Sequence, residues 1–147
     1  MGIFESVVDP VVDATAIEHA RLRNAVRARL LVSGTSVTPS DIASATGRSP
    51  EAVRRWIERK RKAGRLVAVT HSGDLYIPSV QLDEAFELSV TTTSVVSDLV
   101  AAGMDDWAVW TWLETPNGWL DDEHPATLLR QGRHDEVRRA VSGLLQA

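Results

Sequence analysis

The stretch DIASATGRSPEAVRRWI, residues 41–57, decides the fold of this chain. Two short helices that cross closely need a small residue at the crossing, and Ala43 supplies it. The turn between them needs a residue that tolerates positive φ, and Gly47 follows four residues later. The second helix can pack on the first through apolar residues one turn apart, which are Val53, Trp56 and Ile57. The pattern predicts a helix-turn-helix, a unit that places its second helix in the DNA major groove.

Capping signals define the two helices. Thr38-Pro39 and Ser49-Pro50 each combine a residue that can cap a helix with proline at the first helical position. They predict a short helix to Thr46 and a long basic helix to about Ala63. Gly64 provides the C-terminal stop, since glycine accepts the left-handed conformation common there.

The second helix of the pair has a basic side, which points away from the predicted contact with the first helix. Residues near its start are placed to read base edges, and the cations near its ends are placed to meet phosphates. The DNA-binding residues that we predict are Arg48, Ser49, Glu51, Arg54, Arg55, Glu58, Arg59, Arg61, Lys62 and, in a following hairpin, His71. Binding through so many cations predicts an affinity that falls steeply with salt.

The flanking sequence extends this unit. A 3.6-residue apolar stripe predicts a first helix from Asp13 or Thr15 to about Val32. Two β-prone stretches, Leu66–Thr70 and Asp74–Ile77, predict a hairpin whose loop is His71-Ser72-Gly73. We therefore predict a mostly α protein, in which a winged helix-turn-helix with a short β-hairpin precedes a small helical domain. The predicted divisions are an N-terminal arm at 1–14, a DNA-binding domain at 15–80 and a helical toxin-binding or oligomerisation domain at 81–147.

Charge is distributed unevenly over the 147 residues. The net charge is −4, but residues 15–65 carry twelve Arg and Lys against four Asp and Glu, whereas residues 66–147 carry four against thirteen. Such asymmetry indicates an anion-binding region joined to an acidic one. The alternative for the charge run alone is a solvated basic helix with no ligand.

Several classes of function are excluded or disfavoured. The chain has no cysteine, which excludes disulfides and thiolate chemistry. Four scattered histidines and adjacent aspartate pairs give neither metal-ligand spacing nor a catalytic dyad, and no nucleophile or phosphate-loop motif occurs. We expect no enzymatic activity, no metal and no cofactor. Short apolar runs and an acidic start predict a cytoplasmic protein without a membrane segment.

Four of the five tryptophans lie in WAVWTWLETPNGWL, residues 107–120. On a helix here, the apolar and aromatic side chains would cover a wider face than the core of the protein normally buries. Some of them would therefore stay exposed and could bind a partner. We expect Trp110 and Trp112 in the core and Trp107 and Trp119 at an interface, because tryptophan is enriched in binding hot spots. The remaining residues predicted to bind a partner are Asp121, Asp122, Glu123 and Arg130.

The second half of the chain resembles the C-terminal domain of Xre/MbcA/ParS antitoxins. The resemblance is carried by an aromatic-x-Pro-x-x-Gln stretch, a Trp-Leu-x-x-Pro-Asn turn, a Pro-x-x-Leu-Leu-x-x-Gly helix and a last helix with two valines. These positions are Tyr76, Pro78 and Gln81; Trp112, Leu113, Pro116 and Asn117; Pro125, Leu128, Leu129 and Gly132; and Val137 with Val141. With the helix-turn-helix, the resemblance covers roughly residues 20–145.

The resemblance implies an antitoxin of a type II toxin–antitoxin pair. Such an antitoxin represses its own promoter and neutralises a cognate toxin, usually a RES-domain enzyme that destroys NAD. The expected partners are double-stranded operator DNA, that toxin, and a second copy of the chain, since one recognition helix reads few base pairs. Two alternatives stay open: a stand-alone host or phage regulator whose C-terminal domain only oligomerises, and an interaction protein whose basic helix binds an acidic protein.

Overall fold

The computed structural model describes the backbone of residues 10–147 and the side chains from residue 14 onward. Seven α-helices lie in this part of the chain. They are α1 (Pro10–Val32), α2 (Pro39–Thr46), α3 (Pro50–Lys62), α4 (Val90–Ala101), α5 (Asp106–Leu113), α6 (Pro125–Arg130) and α7 (His134–Gln146). Two short 3-10 helices, Ser79–Gln81 and Gly118–Leu120, complete the helical structure. None of these helices is long and apolar enough to cross a membrane.

A small antiparallel sheet accompanies the first three helices. Its strands are β1 (Ser36–Val37), β2 (Val69–His71) and β3 (Asp74–Pro78), in the order β1-β3-β2. Val37 pairs with Ile77, and Val69 pairs with Tyr76. The central strand therefore joins the segment before α2 to the segment after α3. The protein is mostly helical with one short hairpin, as the sequence predicted.

Three clusters of buried apolar side chains hold the described residues together. One lies between α2, α3 and the sheet and includes Ile42, Val53 and Ile57. A second fills the space among α4, α5, α6 and α7. A third joins Leu30 of α1 and Val69 of β2 to Trp110 of α5. The second and third clusters both draw residues from each side of position 80, so the N-terminal and C-terminal parts pack on each other.

Gln81 links the same two parts through polar contacts. Its side chain is fully buried. The amide oxygen accepts a hydrogen bond from the Val67 N–H at 2.8 Å, and the amide nitrogen donates to the Val67 carbonyl at 2.9 Å and the Pro78 carbonyl at 3.1 Å. Because buried polar groups are costly when unpaired, these bonds fix the extended segment after α3 against the start of the C-terminal part.

Two sequence predictions about secondary structure need correction, and one strand had no prediction. The first helix begins at Pro10 rather than at Asp13 or Thr15, so only residues 1–9 of the predicted arm remain, and they lie outside the described residues. Strand β1 was not predicted, because two residues are too few to show an alternating pattern. The hairpin loop is two residues, Ser72-Gly73, rather than three.

Candidate nucleic-acid interface

The ends of α2 and α3 are capped as the sequence predicted. Thr38 and Asp41 form a capping box, in which each side chain accepts a hydrogen bond from the backbone N–H of the other residue. Gly47 has φ 75° and donates its N–H to the Ala43 carbonyl. The Ser49 hydroxyl accepts from the Ala52 N–H at 3.2 Å and caps α3. These bonds fix the angle at which α3 leaves α2.

The inner face of α3 is buried against α2 and the sheet. Val53, Trp56 and Ile57 are buried, as predicted. Ala43 is also buried, in the same cluster, which agrees with the need for a small residue where two helices meet. Since the apolar stripe is fixed in this way, the orientation of the opposite face is fixed as well.

The outer face of α3 is open to solvent and carries most of the predicted contact residues. The exposed residues on it are Glu51, Arg54, Arg55, Glu58, Arg59 and Lys62. Among the side chains that the structure describes, Arg54, Arg55, Arg59 and Lys62 form no ion pair. These four cations outnumber Glu51 and Glu58 on the same face, so the surface is net positive and attracts polyanions.

Arg61 was predicted to contact DNA from this face, but it is partly buried and its guanidinium is bound by carboxylates. Its guanidinium donates to the Asp106 carboxylate at 2.8 Å and lies 3.9 Å from Glu58. Asp106 also accepts a hydrogen bond from the Ala68 N–H at 3.3 Å. Arg61 follows Ile57 by four residues and Glu58 by three, so it lies at the edge between the buried stripe and the outer face of α3. It therefore fastens the end of α3 to the start of α5.

Arg48 lies in the turn before α3 and has two neighbours. Its guanidinium donates to the Glu87 carboxylate at 2.5 Å, and it lies over the Trp56 ring at 6.0 Å. The ion pair could not be predicted, because Glu87 is 39 residues away in the sequence and lies in an irregular segment. Arg48 thus lies next to the cationic face of α3, but its guanidinium is paired with Glu87.

The β2–β3 hairpin is the next secondary structure along the chain after α3. His71 is exposed and pairs with Asp74 on either side of the two-residue turn. Ser72 has φ 50° and Gly73 has φ 82°. Positive φ at both turn positions is typical of a type I′ hairpin, which matches the twist of the strands. The structure therefore places His71 at the end of β2, at the base of the turn, rather than in the loop where it was predicted.

The tryptophans of α5 and the following turn differ in burial. Trp110 is fully buried and Trp112 is partly buried against the C-terminal cluster, in agreement with the predicted core positions. Trp107 is partly buried, with its ring 5.7 Å from that of Trp110 and with Arg27 over it at 4.9 Å. Trp119 is 68% exposed, although its indole lies against Gly143 of α7, where an added Cβ would come within 2.9 Å of the ring.

The other residues predicted to bind a partner lie near Trp119 in the chain. Asp121, Asp122 and Glu123 are exposed, and the first two have φ of 53° and 63°. Arg130 is paired with Glu114 at 3.2 Å, and the Glu114 side chain is only 7% exposed. Arg130 therefore neutralises a largely buried carboxylate, whereas the acidic residues stay available. No group of His, Asp or Glu in the described part of the chain could hold a metal ion.

Comparison with known proteins gives a likeness of fold. No model of a known protein family matches the chain, and no curated protein matches it. The NMR structure of Rv2175c is similar, with a TM-score of 0.56 and 24% sequence identity. The match covers 73% of this chain and 79% of that chain. At this identity the likeness concerns the fold and leaves function to be argued from the residues.

Proposed function

We propose that the chain binds double-stranded DNA through a winged helix-turn-helix, with α3 as the recognition helix and the β2–β3 hairpin as the wing. The observation that carries this proposal is the outer face of α3. Its cations Arg54, Arg55, Arg59 and Lys62 are exposed and form no ion pair in the described part of the chain. A helix with one fixed apolar face and one free cationic face can enter a groove without unfolding.

The order of the elements supports the same proposal. The hairpin begins seven residues after α3 ends, at Val69, and its second strand is the central strand of the sheet. The sheet packs against α2 and α3 through one shared cluster that includes Ile77. The wing and the recognition helix are therefore joined rigidly, so both can contact one duplex at the same time.

Each contact residue has a proposed role. Arg54 and Arg55 read base edges, with guanine O6 and N7 as the preferred acceptors for arginine. Arg59 and Lys62 contact phosphates, which position the helix without reading sequence. A second copy of the chain provides a second recognition helix, and the two helices read half-sites about 34 Å apart.

The test is selection of bound duplexes from a random library, followed by anisotropy measurements at several salt concentrations. Replacing Arg54 and Arg55 by alanine removes two base contacts worth about 1–3 kcal/mol each, so affinity for the selected duplex should fall by about 30-fold or more. The matched control is Arg138→Ala with Arg139→Ala, which removes the same charge from the exposed side of α7 and should leave affinity nearly unchanged. An equal loss in both variants would mean that only net charge matters, and failure to enrich any sequence would refute specific binding.

A second function, binding of a protein partner by the C-terminal part, is favoured by Trp119. Its indole is 68% exposed, and Leu144 and Leu145, which follow the glycine that it contacts, are exposed as well. A large exposed aromatic beside apolar residues is typical of an interface. We propose that this surface binds a cognate toxin of the RES type and that the DNA-binding part represses the promoter of the pair.

This second proposal has a separate test. The tagged chain is isolated from its native host, and proteins that co-purify in stoichiometric amount are identified. A RES-domain protein that is captured by the wild type and lost with Trp119→Ala is the expected result. The Arg54→Ala, Arg55→Ala variant should still capture it. Self-association without another protein would favour a stand-alone regulator.

A further inference from the structure

A groove separates the C-terminal half of α1 from α5. Its volume is about 480 Å³, within the range of roughly 300–1,000 Å³ that is usual for small-molecule sites. Its apolar lining includes Val26, Met104, Trp107 and Trp112, and Arg23 and Arg27 stand on the α1 side. The predicted DNA interface and the predicted partner surface use none of these residues except Trp107.

The two arginines are suited to an anion. Arg23 and Arg27 are four residues apart on α1, so they lie on the same side of the helix. Neither forms an ion pair with any side chain that the structure describes. Arg27 lies over the Trp107 ring, 4.9 Å from its centroid. Its guanidinium is therefore placed at the wall of the groove before any ligand arrives.

The aromatic wall is held from behind. Trp107 stacks on Trp110 at 5.7 Å with the two planes inclined by 24°. Trp110 is fully buried and donates its indole N–H to the Thr35 hydroxyl at 3.3 Å. A wall supported in this way loses little conformational freedom when a flat ligand stacks on it.

We propose that this groove binds a small amphipathic anion, with an aromatic or aliphatic body and one carboxylate. The body contacts Trp107, Trp112 and Met104, and the carboxylate is bound by Arg23 and Arg27. Asp105 lines the same groove, where its carboxylate accepts the Ala108 N–H at the start of α5. The anionic end of the ligand is therefore directed away from α5 and toward α1.

The ligand would also affect α3, a consequence that rests on the proposed DNA binding. Asp105 and Trp107 line the groove, and the residue between them, Asp106, holds Arg61 of α3 and the Ala68 N–H before β2. All three residues belong to the first turn of α5 or its cap. A ligand bound beside this turn therefore alters the surroundings of the contact that fastens the recognition helix.

The test is an NMR titration of the full ¹⁵N-labelled chain with 2-naphthoate, without DNA. The five tryptophans give separate indole N–H signals. Those of Trp107 and Trp112 should shift saturably, and that of the exposed Trp119 should stay in place. Naphthalene-2-carboxamide has the same body without the charge. It should bind more weakly by about tenfold or more, because the charge-assisted hydrogen bonds are lost.

Variants and a second signal complete the test. Arg23→Gln with Arg27→Gln should abolish the preference for the acid, and Arg138→Gln on α7 should keep it. The Ala68 amide signal should shift together with Trp107 if the contact of Asp106 responds. Binding that is equal for acid and amide, or indole shifts that spread to Trp119, would overturn the site. If the Trp107 signal shifts with protein concentration but not with naphthoate, a second copy of the chain fills the groove. That result also overturns the proposed ligand site. Since no DNA is used, failure here is separate from failure of the proposed function.

Discussion

The helices α3 and α7 bury the same pattern of residues on the side that packs against the protein core. Each is 13 residues long. Three residues of each helix are buried: Val53, Trp56 and Ile57 in α3, and Val137, Ala140 and Val141 in α7. In both helices the buried residues recur at three- and four-residue spacing, which is the periodicity of one helix face.

Their outer sides differ. In α7 the charges are of both signs: Arg133, just before the helix, donates two hydrogen bonds to the Glu136 carboxylate, at 2.9 and 2.8 Å. This contact holds the pKa of Glu136 below its usual range. The difference lies in net charge: α7 has two arginines against Asp135 and Glu136, whereas α3 has six Arg and Lys against Glu51 and Glu58. The buried stripe specifies how a helix packs, whereas the outward charge is free to vary and therefore indicates function.

The largest effect separates the two faces of α3. Ile57→Ala should lower the free energy of unfolding by about 2–5 kcal/mol, because it leaves a cavity in a buried cluster. Arg55→Ala should change it by about 0.5 kcal/mol or less, as for most surface positions. Urea denaturation followed by circular dichroism measures both. A large loss with Arg55→Ala would mean that the outer face contributes to the fold.

A smaller effect tests the contact that α3 makes and α7 lacks. In a double-mutant cycle, Arg61→Ala and Asp106→Ala should show a coupling energy of about 1–2 kcal/mol, because the pair is partly buried and hydrogen-bonded at 2.8 Å. The stability of the two single variants and the double variant is measured under the same conditions. Additive losses would show that the pair does not hold the end of α3.

The smallest effect concerns Trp119, which lies against Gly143 of α7. Trp119→Ala should lower the free energy of unfolding by about 1 kcal/mol or less, since 68% of the residue is exposed. Trp110→Ala serves as the comparison and should cost about 3–5 kcal/mol, because Trp110 is fully buried. Thermal unfolding of both variants distinguishes them. If Trp119→Ala is as damaging as Trp110→Ala, Trp119 belongs to the core and cannot be kept for a partner.

Much of the α2–α3 unit was predictable, because its signals are local. Caps at Thr38 and Ser49, the left-handed Gly47 and the stripe Val53, Trp56, Ile57 all depend on residues a few positions apart. Side-chain placement on α3 followed from the same periodicity. Periodicity alone leaves Arg61 at the edge of the outer face, and only the structure shows that Asp106, 45 residues away, holds its guanidinium.

The rest required contacts between distant residues. Nothing in the sequence relates Arg48 to Glu87 or Arg61 to Asp106, because each pair is brought together only by the packing of separate elements. Strand β1 is a strand only through its antiparallel pairing with β3, which is distant in the sequence. The groove beside Trp107 depends in the same way on where α1 lies against α5.

The central claim is that the outer face of α3, and not that of α7, meets DNA. The most direct measurement is the change in backbone amide signals of the ¹⁵N-labelled chain when the selected duplex is added. The account predicts that signals of residues 48–62 and of the hairpin around His71 shift, while those of residues 134–146 stay in place. Shifts concentrated on α7, or none on α3 at low salt, would contradict it.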